Sequence, residues 1–368
     1  MHHGRRLPLR VGTRGSPLAR TQTRMFLDLL TRFCPVLGLG VQGQPVFEEH
    51  VIRTTGDAVQ DRSLADIGGK GLFSKEIHEA LLDRRIDFAV HSLKDLETEL
   101  PPGIVLACTL KREDARDALI LGPHCAPTTA EDAREQPWSI LPAGATIGTN
   151  SLRRQAQLLH ARPDLRIVLL RGNVQPRIEK VARGDCTASL LALAGIRRLG
   201  LRDVPMAIID AETMVPAAGQ GIVGITVREH DTPLHALLAG IEDPDARAVS
   251  TAERAMLAAL DGNCRTPIGG YARLLPDTSG YARLLPGTSG DARLLPDTSG
   301  YARLSHGGQT LHLTGLVARP DGTFLLKRTL QAPAADAARL GTELGNSLRA
   351  DSPPDVLGDM PRDTPPHA

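Results

Sequence analysis

The sequence predicts an α/β protein over most of its length, followed by a smaller α+β region. Three observations carry that prediction. Strand-like and helix-like segments alternate from about residue 7 to residue 239, the rhythm of mostly parallel sheets flanked by helices. Polar clusters at residues 12–16, 91–95, 148–154 and 171–177 each fall at or near the carboxyl end of a strand-like run, where such sheets bind ligands. From about Ile241 the order changes to a helix, then strands, then a final helix. A chain of 368 residues has room for two or three domains, each with its own core.

Residues 9–12 read as a short strand, and Ser16-Pro17 opens a helix to Leu30. Residues 46–53 read as the next strand. Residues 55–71 are polar and glycine-containing, hence a loop, with Gly68-Gly69-Lys70-Gly71 suited to a lid. Residues 74–83 read as a helix, with Phe73, Ile77 and Leu81 spaced by four. Ile86, Phe88 and Val90 alternate as a strand leading into His91-Ser92-Leu93-Lys94-Asp95. Ser151 is a good N-cap for a helix over 152–161. The apolar run after Arg166 ends at Arg171-Gly172, and Pro176 suits the first turn of the following helix. In the last region Asp243-Pro244 starts a helix to about Leu260. The loop 262–267 follows, then strands at 311–317 and 324–330, then a helix with Leu340, Leu344 and Leu348 on one face. The Pro- and Asp-rich tail from Asp351 is expected to be disordered.

Residues 270–299 are three near-identical decamers of the form GYARLLPDTS, with a truncated fourth copy from Gly300. They are too few and too small for a solenoid, and duplication of a short DNA segment explains them. The first copy is expected to fill the strand after the 262–267 loop, with the extra residues leaving as an enlarged hairpin loop.

The net charge of +1 excludes a global basic field, and with it nucleic acid as the main partner. The cations are lopsided, six lysines against 37 arginines; arginine is the residue that grips carboxylates in a bidentate fork. Cys34, Cys108, Cys125, Cys186 and Cys264 form no C-x-x-C pair and are odd in number, which fits a reducing cytoplasm better than disulfides or zinc. No apolar run reaches membrane-spanning length, and Met1-His-His-Gly-Arg-Arg is followed by no signal-like core.

Six arginines fall between Arg153 and Arg177. Arg153 and Arg154 sit at a helix start, whose free N–H groups and dipole add to an anion receptor. A ligand with several carboxylates or phosphates fits this arrangement; a solvated basic face is the alternative reading. His91–Asp95 gathers an acid, an amine, a hydroxyl and an imidazole at one strand end, able to stabilise a developing cation or move protons; a surface Lys–Asp pair is the alternative. Cys264, flanked by Gly262, Asn263 and Arg265, has a thiolate-favouring context. Residues 219–224 spell G-x-G-x-x-G but precede a strand, so the dinucleotide-binding reading is rejected.

Taken together these segments resemble the hydroxymethylbilane synthase, or porphobilinogen deaminase, family. The resemblance runs from about residue 7 to residue 348, through residues 13–20, 91–95, 148–154, 170–174, 194–200, 216–224 and 263–269. It implies two domains like type II periplasmic binding proteins, with mixed, mainly parallel sheets, and a smaller α+β C-terminal domain. Residues 1–112 and 215–240 would form the first, 113–214 the second and 241–350 the third. It implies stepwise deamination and condensation of four porphobilinogen molecules, then hydrolytic release of a linear tetrapyrrole for porphyrin and heme biosynthesis. Cys264 would hold a dipyrromethane cofactor through a thioether. Asp95 would contact pyrrole N–H groups and stabilise cationic azafulvene-type intermediates. Arg14, Arg153, Arg154, Arg171, Arg177 and Arg198 would bind carboxylates, Lys94 the cofactor, and Ser16, Thr149, Ser151 and Gln220 would line the cleft. No metal, nucleic acid or membrane partner is implied, and a cytoplasmic monomer is expected.

The sequence departs from the family pattern at three positions. Glu97 stands where proline is usual, Pro176 where a threonine is usual, and Thr187 where an aspartate is frequent. Glu97 adds a negative charge two residues from Asp95 and is expected to raise its pKa. A non-catalytic two-domain clamp for a small polyanion would also explain the arginines and the βα rhythm, but not Cys264 in its context.

Overall fold

The computed structural model describes residues 7–34, 46–58, 71–125, 136–262, 266–276 and 309–358. Three sheets organise them. The first is built from β1 (Leu9–Arg14), β2 (Phe47–Ile52), β3 (Phe88–Ser92) and β4 (Ile104–Thr109). The second is built from β5 (Asp117–Leu121), β6 (Thr146–Thr149), β7 (Arg166–Leu169), β8 (Ala188–Ala192) and β9 (Met206–Ile209). The chain then returns to the first sheet as β10 (Val223–Arg228), giving the order β2-β1-β3-β10-β4 beside β7-β6-β8-β5-β9.

The two orders are the same plan. In each sheet the fourth strand runs antiparallel to both neighbours, while the first three are parallel. In each, that reversed strand follows directly on the other sheet: β5 follows β4, and β10 follows β9. Two crossing connections therefore join two like bodies, the arrangement of type II periplasmic-binding-protein domains. The carboxyl ends of β1, β3, β6 and β8 meet across one cleft.

Ten helices are described, of which α1 (Pro17–Phe33), α2 (Thr55–Ala58) and α3 (Lys75–Leu82) belong to the first body. The Ser16 side chain caps α1 by accepting the Ala19 N–H, with Pro17 in the first turn. This face buries Phe26 and Leu30, and Phe26 meets Phe88 edge-to-face at 5.3 Å. The second body carries α4 (Leu152–Ala161), α5 (Val174–Ala182) and α6 (Leu193–Arg198). Then come α7 (Thr232–Ala239) and α8 (Pro244–Ala259).

Helix α8 and α9 (Ala337–Ala350) pack on a three-stranded antiparallel sheet of β11 (Ile268–Pro276), β12 (Gln309–Ala318) and β13 (Leu325–Pro333). Met256, Leu311, Leu313, Leu340, Leu344 and Leu348 form its core. The helices touch backbone to backbone: a Cβ on Gly341 would meet the Ala252 carbonyl oxygen at 2.2 Å.

Two expectations are corrected. Residues 55–58 form α2, where a loop was expected, because the Thr54 carbonyl accepts the Asp57 and Ala58 N–H groups. The tail does not lose order at Asp351. Residues Pro354–Gly358 form α10, held by Val356 in the third core and by an Arg319–Asp355 ion pair at 2.8 Å. The glycine-rich stretch 68–70 and the residues from 359 onward lie outside the described residues.

The first decamer supplies β11, as expected, with Gly270 paired to Gly315 and Leu274 to Leu311. The remaining repeat sequence, 277–308, lies outside the described residues. Deleting residues 270–299 leaves Gly300-Tyr301-Ala302-Arg303-Leu304 to follow Gly269, the same five residue types that β11 uses. Loop closure costs only about 0.6 kcal/mol per doubling of length. The shortened chain is expected to unfold cooperatively near the parent's melting temperature. Loss of cooperative unfolding would make the repeats structural.

Candidate active site

A cavity of about 630 Å³ lies where the two like bodies meet the third domain. Its walls include Arg14, Lys94, Asp95, Arg153, Arg154, Arg171, Arg177 and Arg198. Its floor rests on a residue that sequence reading missed. Asp117 opens the apolar strand β5 and is fully buried. Its carboxylate meets Arg153 at 2.8 Å and Arg154 at 2.8 Å, and accepts from Gln220 Nε2 at 2.8 Å. Arg153 also donates to the Val215 carbonyl at 2.6 Å, and Arg154 to that of Leu190 at 2.8 Å.

The two arginines at the start of α4 are therefore not the open anion receptor expected of a helix terminus. Both are buried and tied to one carboxylate. Burial weighs against the charges and lowers the pKa of Arg153 despite Asp117. Burial alone would raise Asp117; the two guanidinium groups outweigh it and hold its carboxyl well below the usual range. Arg154 Nε is buried without a hydrogen bond.

Gln220 carries the network across the cleft. Its Oε1 accepts from Lys94 Nζ at 3.3 Å, and its Nε2 also donates to the Ala115 carbonyl at 2.7 Å. Burial, reinforced by Arg154, pushes Lys94 down to about 8. The folded chain thus binds fewer protons than the unfolded one between about pH 8 and the ordinary lysine value. Lys94 is then charged below pH 8 and loses its charge as pH rises through it. Anion binding in the cleft is expected to weaken across that interval, and a Lys94→Met variant should lack the transition. An identical alkaline profile in both proteins would remove Lys94 from the site.

Arg14, at the end of β1, is held between two carboxylates. It pairs with Asp57 at 2.5 Å and with Asp95 at 3.3 Å, and lies 4.1 Å above the Phe73 ring. Burial opposes its charge, but the Asp57 hydrogen bond and both negative charges hold its pKa above the ordinary value. Asp95 itself stands on a single 3-10 turn, Leu93–Asp95, directly after β3. The buried Leu93 pins that turn while Asp95 keeps 30% of its side chain exposed.

The remaining expected residues divide by what they touch. The Ser16 and Ser151 hydroxyls cap α1 and α4. Thr149 is buried beneath the wall, its hydroxyl accepting the Ser151 N–H at 3.2 Å, and does not line the cavity. Arg171 reaches across to the Gly56 carbonyl at 3.3 Å. Arg177 bonds the Gly172 carbonyl at 2.8 Å, and burial, with Arg154 and Arg171 beside it, pushes it down to about 10. Arg198 bonds the Gly221 carbonyl at 2.7 Å while its Nε, like that of Arg154, is buried without a partner. Cys264 lies outside the described residues; Asp261, Gly262 and Thr266 on either side of its loop line the cavity.

The three departures are local. Glu97 points its Oε1 toward His78 Nδ1 at 4.0 Å, while Arg254 donates to the carbonyls of Leu96, Glu97 and Thr98. Pro176 sits in the first turn of α5, where a proline is tolerated. The Thr187 hydroxyl accepts the Thr146 N–H at 3.1 Å, within the sheet and off the cavity wall.

A second missed residue joins the bodies. Glu253 on α8 is fully buried; it pairs with Arg112 at 2.6 Å and accepts the Gly219 and Ala272 N–H groups, each at 2.7 Å. One carboxylate thereby ties both crossing connections to the third domain.

Two like bodies joined by crossing strands, with a buried cationic cleft between them and a third domain closing its edge, define a binding-protein-like clamp for a polyanionic ligand. Two family descriptions match the chain: "Porphobilinogen deaminase, dipyromethane cofactor binding domain" over residues 9–236, and the C-terminal domain of the same family over residues 248–284. Porphobilinogen deaminase of Nitrobacter winogradskyi is 42% identical over 343 residues, covering 92% of each chain. That of Paracoccus denitrificans is 41% identical over 350 residues, covering 95% of this chain and 96% of the relative. The chloroplastic enzyme of Oryza sativa subsp. japonica is 46% identical over 264 residues, covering 72% and 70%. The chain belongs to the porphobilinogen deaminase family.

Proposed function

We infer that this chain is a hydroxymethylbilane synthase, a transferase that deaminates four porphobilinogen molecules in turn and joins them head to tail. Linear hydroxymethylbilane is then released by hydrolysis. The observation that carries the reading is the half-buried Asp95 carboxylate at the edge of a cavity lined by Lys94 and several arginines, in a chain that matches the family over residues 9–236. Each substrate carries an acetate and a propionate. Arg171, Arg177 and Arg198 bind these carboxylates, and the unpartnered Nε atoms of Arg154 and Arg198 supply donors aimed at no protein acceptor. Asp95 stabilises the positive charge that develops on the substrate carbon as the amine departs.

The donor set fits a dipyrromethane, whose side chains are carboxylates and whose ring N–H groups need an acceptor. Lys94, Arg154, Arg198 and Asp95 would hold it, and Cys264 would bind it through a thioether. When bound it supplies the free pyrrole carbon on which the chain grows. Asp117, behind the wall, fixes Arg153, Arg154 and Gln220, and Gln220 in turn holds Lys94; Ser16, Thr149 and Ser151 act by setting the helix starts. We assign residues 1–112 and 215–240 to the first domain, 113–214 to the second and 241–350 to the third. A cytoplasmic monomer completes the reading; among the described residues no helix is long and apolar enough to cross a membrane.

The intact mass of the purified chain tests this. It is expected to exceed the sequence mass by one dipyrromethane and to give a red colour in acidic aldehyde reagent. Cys264→Ser is expected to stay at the sequence mass and colourless. An unmodified, colourless parent chain would instead support a non-catalytic clamp, and an adduct on Cys34, Cys108, Cys125 or Cys186 would overturn the attachment site.

A further inference from the structure

Arg14 faces two carboxylates but shares itself unequally between them. Asp57 takes one edge of the guanidinium with both oxygens, Oδ1 to Nη2 at 2.5 Å and Oδ2 to Nε at 3.2 Å. The contact with Asp95 is single, Nη1 to Oδ2 at 3.3 Å. The Phe73 ring lies 4.1 Å from the guanidinium carbon. All four side chains line the cavity.

Helix α2 builds this frame. The Thr54 hydroxyl donates to Asp57 Oδ2 at 2.8 Å, and the Thr54 carbonyl accepts the Asp57 N–H at 3.0 Å. The Gly56 N–H donates to the Leu72 carbonyl at 2.7 Å, which brings Phe73 against α2. A Cβ on residue 56 would meet the Phe73 ring at 2.3 Å, so a glycine there admits the ring that underlies Arg14. Burial opposes the charge of Asp57, but the hydrogen bond and charge of Arg14, with Thr54, hold its carboxyl below the ordinary value. Asp57 is therefore ionised at neutral pH. Two carboxylates around one guanidinium leave one negative charge in surplus. A guanidinium offered a single carboxylate closes on it as a two-pronged fork. Here Asp57 holds that fork, and Asp95 keeps 30% of its side chain exposed beside the single, longer contact.

We propose that Asp57 is a positioning residue for the reaction: by engaging the fork of Arg14 it keeps that guanidinium from closing on Asp95, and so preserves the Asp95 charge for the substrate. Asp57 acts through Arg14 and not on the reacting atoms. The proposal rests on the reading of Asp95 as the group that stabilises the developing cation. With an amide at position 57 the competing charge is gone. Arg14 then turns its fork onto Asp95 and cancels the charge that the chemistry uses.

The test is a double-mutant cycle between positions 57 and 95, with turnover counted per cofactor-loaded chain and loading read by intact mass. Asp57→Asn is expected to lower kcat by roughly tenfold, a coupling of the size that contacting charged groups show, with KM little changed. Asp57→Glu restores the charge and is expected to recover most of the loss. In an Asp95→Asn background Asp57→Asn is expected to cost nothing further, because the charge it protects is already absent. Thr54→Val removes only the hydroxyl that fixes Asp57 Oδ2; it is expected to lower kcat in the same direction and less, and serves where Asp57→Asn folds poorly. A kcat equal to the parent's in both Asp57→Asn and Thr54→Val would overturn the proposal. So would a change in KM alone, or an equal fold-loss with and without Asp95. Asp95→Asn by itself reads the enzymatic premise: parent-like turnover there removes the premise and the proposal with it, while a slow Asp95→Asn beside a parent-like Asp57→Asn overturns only the role given to Asp57.

Discussion

Asp95→Asn is expected to lower turnover by on the order of a hundredfold or more, the usual loss when a preorganised charge facing a developing cation is removed. The substitution keeps size and hydrogen-bonding atoms. Arg14 retains Asp57 at 2.5 Å and its stacking on Phe73, so the fold and the arginine's position should survive. The defect should therefore appear in kcat, with the melting temperature little changed. Steady-state kinetics beside a thermal melt decide the matter. Turnover near that of the parent would show that the charge of Asp95 plays no part in the chemistry.

Asp117→Ala is expected to have the largest effect on stability, a loss of about 3–5 kcal/mol, because it strands buried charges without a partner. Arg153 and Arg154 would face each other with no carboxylate between them, and Gln220 would lose an acceptor. The pH dependence follows from the depressed carboxyl. Its stabilising contribution is complete above the ordinary aspartate pKa and is lost as pH falls through and below that value. At neutral pH the parent holds it in full. Urea denaturation of parent and variant measures the difference, and a midpoint shift worth less than about 1 kcal/mol would mean that the buried triad is not the fastening inferred here.

Several parts of the site were legible in the sequence because they depend on short-range chemistry. Ser151 precedes a helical run, and it caps α4 at the expected residue. Alternation at Ile86, Phe88 and Val90 marked β3 and so put Lys94 and Asp95 at a strand end. The leucines at 340, 344 and 348 marked the buried face of α9. The cluster of arginines between Arg153 and Arg177 marked residues that line the cleft. Those signals come from hydrogen-bonding capacity within one turn and from the periods of helix and strand, which neighbouring residues impose on one another.

Asp117, Asp57 and Glu253 were not legible in this way. Asp117 is one acid ahead of an apolar strand, Asp57 lies in a segment that read as loop, and Glu253 sits within an ordinary-looking helix. Their partners are 36 and 37, 43 and 141 residues away. What the sequence by itself determined is the fold class, most element positions, the family resemblance and the residue types gathered at the cleft. What the tertiary structure decided is which of those charges are spent on each other. Arg153 and Arg154 turned out to share Asp117 from a distant strand and Arg14 to be held by Asp57 from α2, while Arg154 Nε and Arg198 Nε were left without protein partners. The physical reason is that burying a guanidinium requires a compensating carboxylate, and only the crossing of the two sheets determines which carboxylate lies within reach.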